Sequence, residues 1–107
     1  GTYAASASKT FAGDKDAALA AWQELVSERM QFAGATAAAE PRITRSEKWR
    51  YWRVDLDNGT RVTIGFSDKA GGRAGSRASI GVQHEKLADA DAVGAAKAFW
   101  KDLLAQL

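Results

Sequence analysis

The sequence predicts an α+β domain: an antiparallel, curved sheet of about five strands packed on a long C-terminal helix, with a shorter helix near the N-terminus. Three observations carry this reading. Trp49 to Phe66 is a β-hairpin written almost in full, residues 93–107 hold one apolar stripe at helical spacing, and an early amphipathic segment precedes the strands. At 107 residues the chain forms one domain able to bury a core without staples.

The first segment, Tyr3 to Phe11, alternates small and polar residues and fits an edge strand. Gly13 breaks it, and Asp14 or Asp16 is placed to cap a helix from Ala17 to about Met30, with Ala18, Leu19, Trp22, Leu25, Val26 and Met30 on one face. Residues 33–40 read either as a frayed second helix or as a connection, because Ala favours helix while Gly34 and Pro41 oppose it. A short polar strand is expected over Arg42 to Arg45, turning near Ser46-Glu47.

The hairpin admits two registers. A two-residue Asn58-Gly59 turn would pair Val54 with Thr63, mixing apolar and polar on one face. A three-residue loop with Gly59 left-handed in a bulge pairs Val54 with Val62, Trp52 with Ile64 and Asp55 with Arg61. The second keeps one face apolar, and a one-residue slip would exchange the faces, so the three-residue loop is expected. Beyond Phe66, Ser67 to Arg77 reads as a flexible Gly-rich loop. It lacks the order of a phosphate-binding loop, and no helix follows it. Ala78, Ile80, Val82 and His84 alternate with Ser79, Gly81 and Gln83 as the last strand. Asp89 or Asp91 then caps the closing helix, whose stripe is Val93, Ala96, Phe99, Trp100, Leu103, Leu104 and Leu107. Gly94 interrupts that helix and would suit close packing on the sheet.

Composition removes several functions. There is no cysteine and one histidine, so thiolate metal sites, thiol nucleophiles and most zinc sites are excluded. The net charge of +2 is too small to imply nucleic acid, although Arg42 to Arg77 holds nine basic residues against four acidic ones. No run reaches the roughly 18 apolar residues of a membrane span, and no signal-peptide pattern opens the chain, so a cytoplasmic protein is expected. The chain begins at Gly1 rather than Met, as expected of a piece cut from a longer polypeptide.

The segments SASKTFAGDKDAALAAW, WRVDLDNGTRVTIGFSDK and ASIGVQHEKLADADAVGAAKAFWKDLLAQL resemble the START / Bet v 1-like (SRPBCC) helix-grip superfamily. Within it they look like the bacterial polyketide-cyclase and heat-shock-ATPase-activator-like branch. The strand ending His84-Glu85-Lys86-Leu87, followed by an acidic-capped helix with Phe99-Trp100, is the most specific part. Typical members are longer, with further strands and a second short helix, and carry a proline at the start of the first helix. Here that intervening region has shrunk to roughly Gln31 to Lys48. The resemblance implies a fold that binds small molecules between sheet and C-terminal helix, and it transfers no catalytic residue or cofactor.

The expected function is therefore a non-catalytic binding module for a hydrophobic or lipid-like small molecule. Its pocket candidates are Arg50, Trp52, Val54, Ile64, Phe66, Ile80, Val82, His84, Phe99, Trp100 and Leu103. Each has a plainer reading: the aromatic and aliphatic residues fill a core, His84 is a hydrogen-bonded structural group, and Arg50 snorkels over Phe66 instead of anchoring an anion. The alternative function is a protein-interaction or homodimerisation domain using the opposite sheet face, where Trp49, Tyr51, Arg53 and Arg61 interleave aromatic and basic groups. Nucleic acid is a weaker reading of that face. The pairs Asp14/Asp16 and Asp89/Asp91 sit where caps belong, and no spacing suggests a metal site. An enzyme of cyclase or hydrolase type rests on analogy alone.

Overall fold

The computed structural model describes residues 2–29, 31–69 and 77–107. Its elements run β1 (Tyr3–Phe11), α1 (Lys15–Leu25), β2 (Gln31–Phe32), β3 (Ala35–Thr36), β4 (Arg42–Arg45), β5 (Trp49–Asp55), β6 (Arg61–Asp68), β7 (Ala78–Leu87) and α2 (Ala90–Leu104). Five strands form one antiparallel sheet in the order β1-β7-β6-β5-β4, and β2 pairs with β3 in a separate hairpin. Both helices lie on one sheet face, α2 mainly on β1 and α1 mainly on β5 and β6. The α+β architecture with a C-terminal helix on a five-stranded sheet is as the sequence predicts.

The central hairpin takes the three-residue loop. Asp55 faces Arg61, Val54 faces Val62 and Trp52 faces Ile64. Gly59 sits at φ +84°, where L side chains are strained, and its N–H donates to the Leu56 carbonyl at 3.1 Å. This register aims Trp52, Val54, Leu56, Val62, Ile64 and Phe66 at the helices, all of them buried.

Both helices are capped by the earlier aspartate of each pair. Asp14 accepts from the Ala17 N–H and Asp89 from the Ala92 N–H, each at 2.8 Å. Such a cap stabilises a helix by about 1 kcal/mol over alanine.

Three expectations are corrected. The stretch expected to be a frayed helix or connection forms the β2–β3 hairpin, with Ala33 and Gly34 at φ 50° and 83° in a two-residue turn. Backbone bonds from Ala38 to the Asp55 carbonyl and from Asp57 to the Thr36 carbonyl, both 2.8 Å, tie the segment to the end of β5. The first helix accordingly stops at Leu25 rather than Met30, so that Phe32 can turn inward. Gly94 is exposed with open space around it, so it mediates no close packing. The expected Gly-rich loop falls largely on residues 70–76, outside the described residues.

The last strand runs on to Leu87. Lys86 at φ 66° makes a bulge that turns Leu87 back to the core face already held by His84.

Candidate functional site

The inner sheet face and the two helices enclose a tightly filled interior. Trp22 of α1 meets Trp52 edge-on at 5.3 Å, and Phe32 stacks on Trp100 at 5.7 Å with planes 9° apart. Of the pocket candidates, Val54, Ile64, Phe66, Ile80, Val82, His84, Trp100 and Leu103 are buried in this packing, while Phe99 is half-buried and packs edge-on against Trp100. The interior between the sheet and α2 is thus occupied by the very residues that could have lined a cavity there.

Arg50 is tied down by polar partners. Its Nε donates to Asp16 at 2.8 Å, and its guanidinium also reaches the Ser46 and Trp49 carbonyls, joining β5 to the start of α1. A second clasp lies next to it, where Asp68 accepts both the Lys15 backbone N–H and its Nζ at 2.8 Å. These bonds from Lys15 hold the Asp68 carboxyl below its ordinary value.

His84 is fixed at both ring nitrogens. The Trp100 indole N–H donates to Nδ1 at 3.0 Å, which leaves the proton on Nε2. That nitrogen lies 2.8 Å from Thr60 Oγ1, so it donates there, and the Thr60 hydroxyl donates on to Asn58 Oδ1 at 2.6 Å. The imidazole is therefore neutral, and burial lowers its pKa below the ordinary 6.5. No carboxylate joins this chain of bonds, and the Thr60 hydroxyl, buried and donating to Asn58, accepts the His84 N–H rather than giving its own proton to the ring. It links α2, the sheet and the hairpin turn.

An open, mostly apolar cleft of about 360 Å³ lies at the opposite end of the helical layer, between α1, the β2–β3 hairpin and β4. Val26, Phe32, Ala37, Pro41, Ile43 and Trp52 line it, with Gln23, Ser27, Arg29 and Glu40 as its polar residues. Phe32 and Trp52 are themselves core residues, only 2% and 3% exposed, so the cleft reaches down to the core. Of the sequence-based candidates only Trp52 belongs to it.

The outer sheet face carries the four interface candidates. Trp49 and Tyr51 stack with centroids 5.6 Å apart, and the Arg53 guanidinium lies 4.6 Å from the Tyr51 ring centre while donating to Thr44. Arg61 donates to Asp55 at 2.8 Å, and that bond keeps the Asp55 carboxyl below its usual range. The two rings lean over Gly65, where an added Cβ would come within 3.1 Å of Trp49 and 3.3 Å of Tyr51. Beside them runs a groove of about 520 Å³.

Among the described residues no group of three or more histidine and carboxylate side chains is placed to hold a metal, and no helix is long and apolar enough to cross a membrane. Apart from Trp52 in the cleft and Trp49, Tyr51 and Val82 in the groove, the residues of both escaped the sequence reading. Phe32 stands in an alanine-rich stretch whose periodicity is uninformative, and the Ser and Gly positions of β1 and β7 look like mere surface. The usable signal was the alternation itself, which puts Ser6, Ser8, Ser79, Gly81 and Gln83 on one face. No family model, curated protein or solved structure matches the chain.

Proposed function

We propose that the chain is a non-catalytic binding module for a small hydrophobic molecule, a shortened relative of the START / Bet v 1-like helix-grip folds. The observation that supports it is the cleft over Phe32 and Trp52. Its volume of about 360 Å³ is in the range of small-molecule sites, its floor is aromatic, and its few polar groups are at hand to orient a ligand. We place the ligand in this cleft rather than between the sheet and α2, because Trp100, Leu103 and Leu104 fill that space. No reaction is assigned: His84, the one histidine, is spent on Trp100 and Thr60.

Ile43 tests the reading from the rim of the core, since it is half-buried on the edge strand, packs against the core from outside and lines the cleft. Titration with Nile red, a neutral apolar dye, should give saturable binding to the protein. Ile43→Lys should weaken that binding about tenfold, the equivalent of 1.4 kcal/mol, with a lowered melting temperature but a still cooperative unfolding transition. Saturable binding that Ile43→Lys leaves intact, or no saturable binding at all, would refute the proposal.

A further inference from the structure

The strand register builds the outer groove from three rows across the sheet. Trp49, Ser67, Ser79 and Thr10 form one, Tyr51, Gly65, Gly81 and Ser8 the next, and Arg53, Thr63, Gln83 and Ser6 the third. The rows give β5 a tall aromatic wall and leave the middle of the sheet bare. Gly65 is covered by the two rings, whereas Gly81 is exposed with nothing within 4 Å of where its Cβ would stand. The depression above Gly81 holds about 520 Å³.

The groove is neutral and rich in hydrogen-bonding groups. Among the described residues no Asp, Glu, Lys, Arg or His lines it. Of the described cations nearby, Arg53 is engaged with Tyr51 and Thr44 and Arg61 with Asp55, while the Lys69 ammonium sits at one end of the first row, donating to Thr10 Oγ1 at 3.0 Å. A phosphate backbone lying along the groove would meet one lysine at its end and an uncharged lining elsewhere, too little to neutralise several phosphates. By contrast Ser6, Ser8, Thr63, Ser79 and Gln83 hydrogen-bond no other described residue through their side chains, and hydroxyls and amides both donate and accept. Tyr51 is taken up between Trp49 and Arg53, so the aromatic surface left for a ligand is that of Trp49, 41% exposed. The ligand that matches it beside uncharged two-way hydrogen-bonding groups has polarised C–H bonds on one side and hydroxyls around its rim.

We infer that this groove binds a neutral saccharide, a sugar ring lodged over Gly81 against Trp49 with its hydroxyls served by the serine, threonine and glutamine side chains. A protein partner fits less well. Interfaces centre on apolar, fully desolvated residues, and here the floor is glycine and serine. This site is separate from the cleft over Phe32 and stands or falls independently of it.

A glycan array of neutral oligosaccharides, followed by fluorescence titration with those retained, tests it. Trp49 is 41% exposed while Trp22, Trp52 and Trp100 are at most 3% exposed, so ligand-induced emission changes report on Trp49. At least one neutral glycan class should bind. Trp49→Ala should cost roughly tenfold in affinity by removing the wall. Gly81→Val should abolish binding by filling the floor while keeping the melting temperature, because valine suits an exposed strand position. Ile43→Lys should leave glycan binding unchanged. The inference is overturned if no neutral glycan binds, if Gly81→Val still binds normally, or if the face captures only single-stranded nucleic acid or a second copy of the chain.

Discussion

His84 shows how one side chain can hold three parts of the molecule in register. It accepts from Trp100 of α2 and donates to Thr60, which is anchored to Asn58 in the hairpin turn. Both bonds of the His84 ring are buried, and losing one partner of such a bond costs about 1–3 kcal/mol because the other is left unsatisfied. Protonating the ring would force Nδ1 to become a donor against the Trp100 N–H, and burial opposes the charge as well. The folded-state pKa therefore lies below the unfolded 6.5, so the unfolded chain binds more protons through that interval. Stability contributed by neutral His84 is complete above the unfolded pKa and is lost as pH falls toward the folded value. Urea midpoints should accordingly drop between about pH 7 and pH 5, a window above the main carboxylate titrations. With a single histidine in the chain, His84→Leu should flatten that slope. A slope unchanged in the variant would show that the network does not control it.

At the level of elements, the hairpin loop is set by one backbone position. Gly59 has open space around its missing Cβ, so a substitution there meets backbone strain and no clash. Gly59→Val should destabilise by about 1–2 kcal/mol in chemical denaturation, the cost of a β-branched residue in the left-handed region. An unchanged midpoint would mean the loop can adopt another register. This hairpin was legible in the sequence because face assignment, cross-strand charge and turn chemistry all agree on one register. The β2–β3 hairpin was not. Its two-residue turn needs positive φ at both central residues, and Ala33 gives no sign that it will adopt one. What holds it is tertiary: Phe32 enters the aromatic cluster, and the backbone at residues 36–38 bonds to residues 55–57. Local propensity carries no trace of either. The cleft depends on this hairpin for part of its wall, so it was hidden along with it.

At the scale of the whole molecule, the two sheet faces have divided labour. The inner face is packed against α1 and α2, with Trp22, Phe32, Trp52 and Trp100 joined ring to ring. Trp52, Val54, Val62, Ile64, Phe66, Ile80, Val82 and His84 point inward, as the alternation of the strands predicts. Whether inward residues line a cavity or fill it depends on volumes contributed by several elements at once, above all by Phe32, which pattern alone cannot weigh. Among the described residues the outcome leaves open space where the helical layer ends, at the cleft beside β4, and on the bare middle of the outer face. The buried indole N–H of Trp22, unpartnered among the described residues, is the one buried side-chain polar atom there without a hydrogen bond.

The central claim is that an apolar ligand is received at the cleft over Phe32 and Trp52 and not under α2. The most direct measurement is a two-dimensional amide and indole NMR titration with 2-naphthol, a small and largely apolar probe. The four tryptophan indoles separate the two places, since Trp52 lines the cleft while Trp100 is bonded to His84. The account predicts saturable shifts at the Trp52 indole and at the amides of Phe32, Ala37 and Ile43, with the Trp100 indole unmoved. Shifts centred on Trp100 and His84, or none at saturating probe, would contradict it.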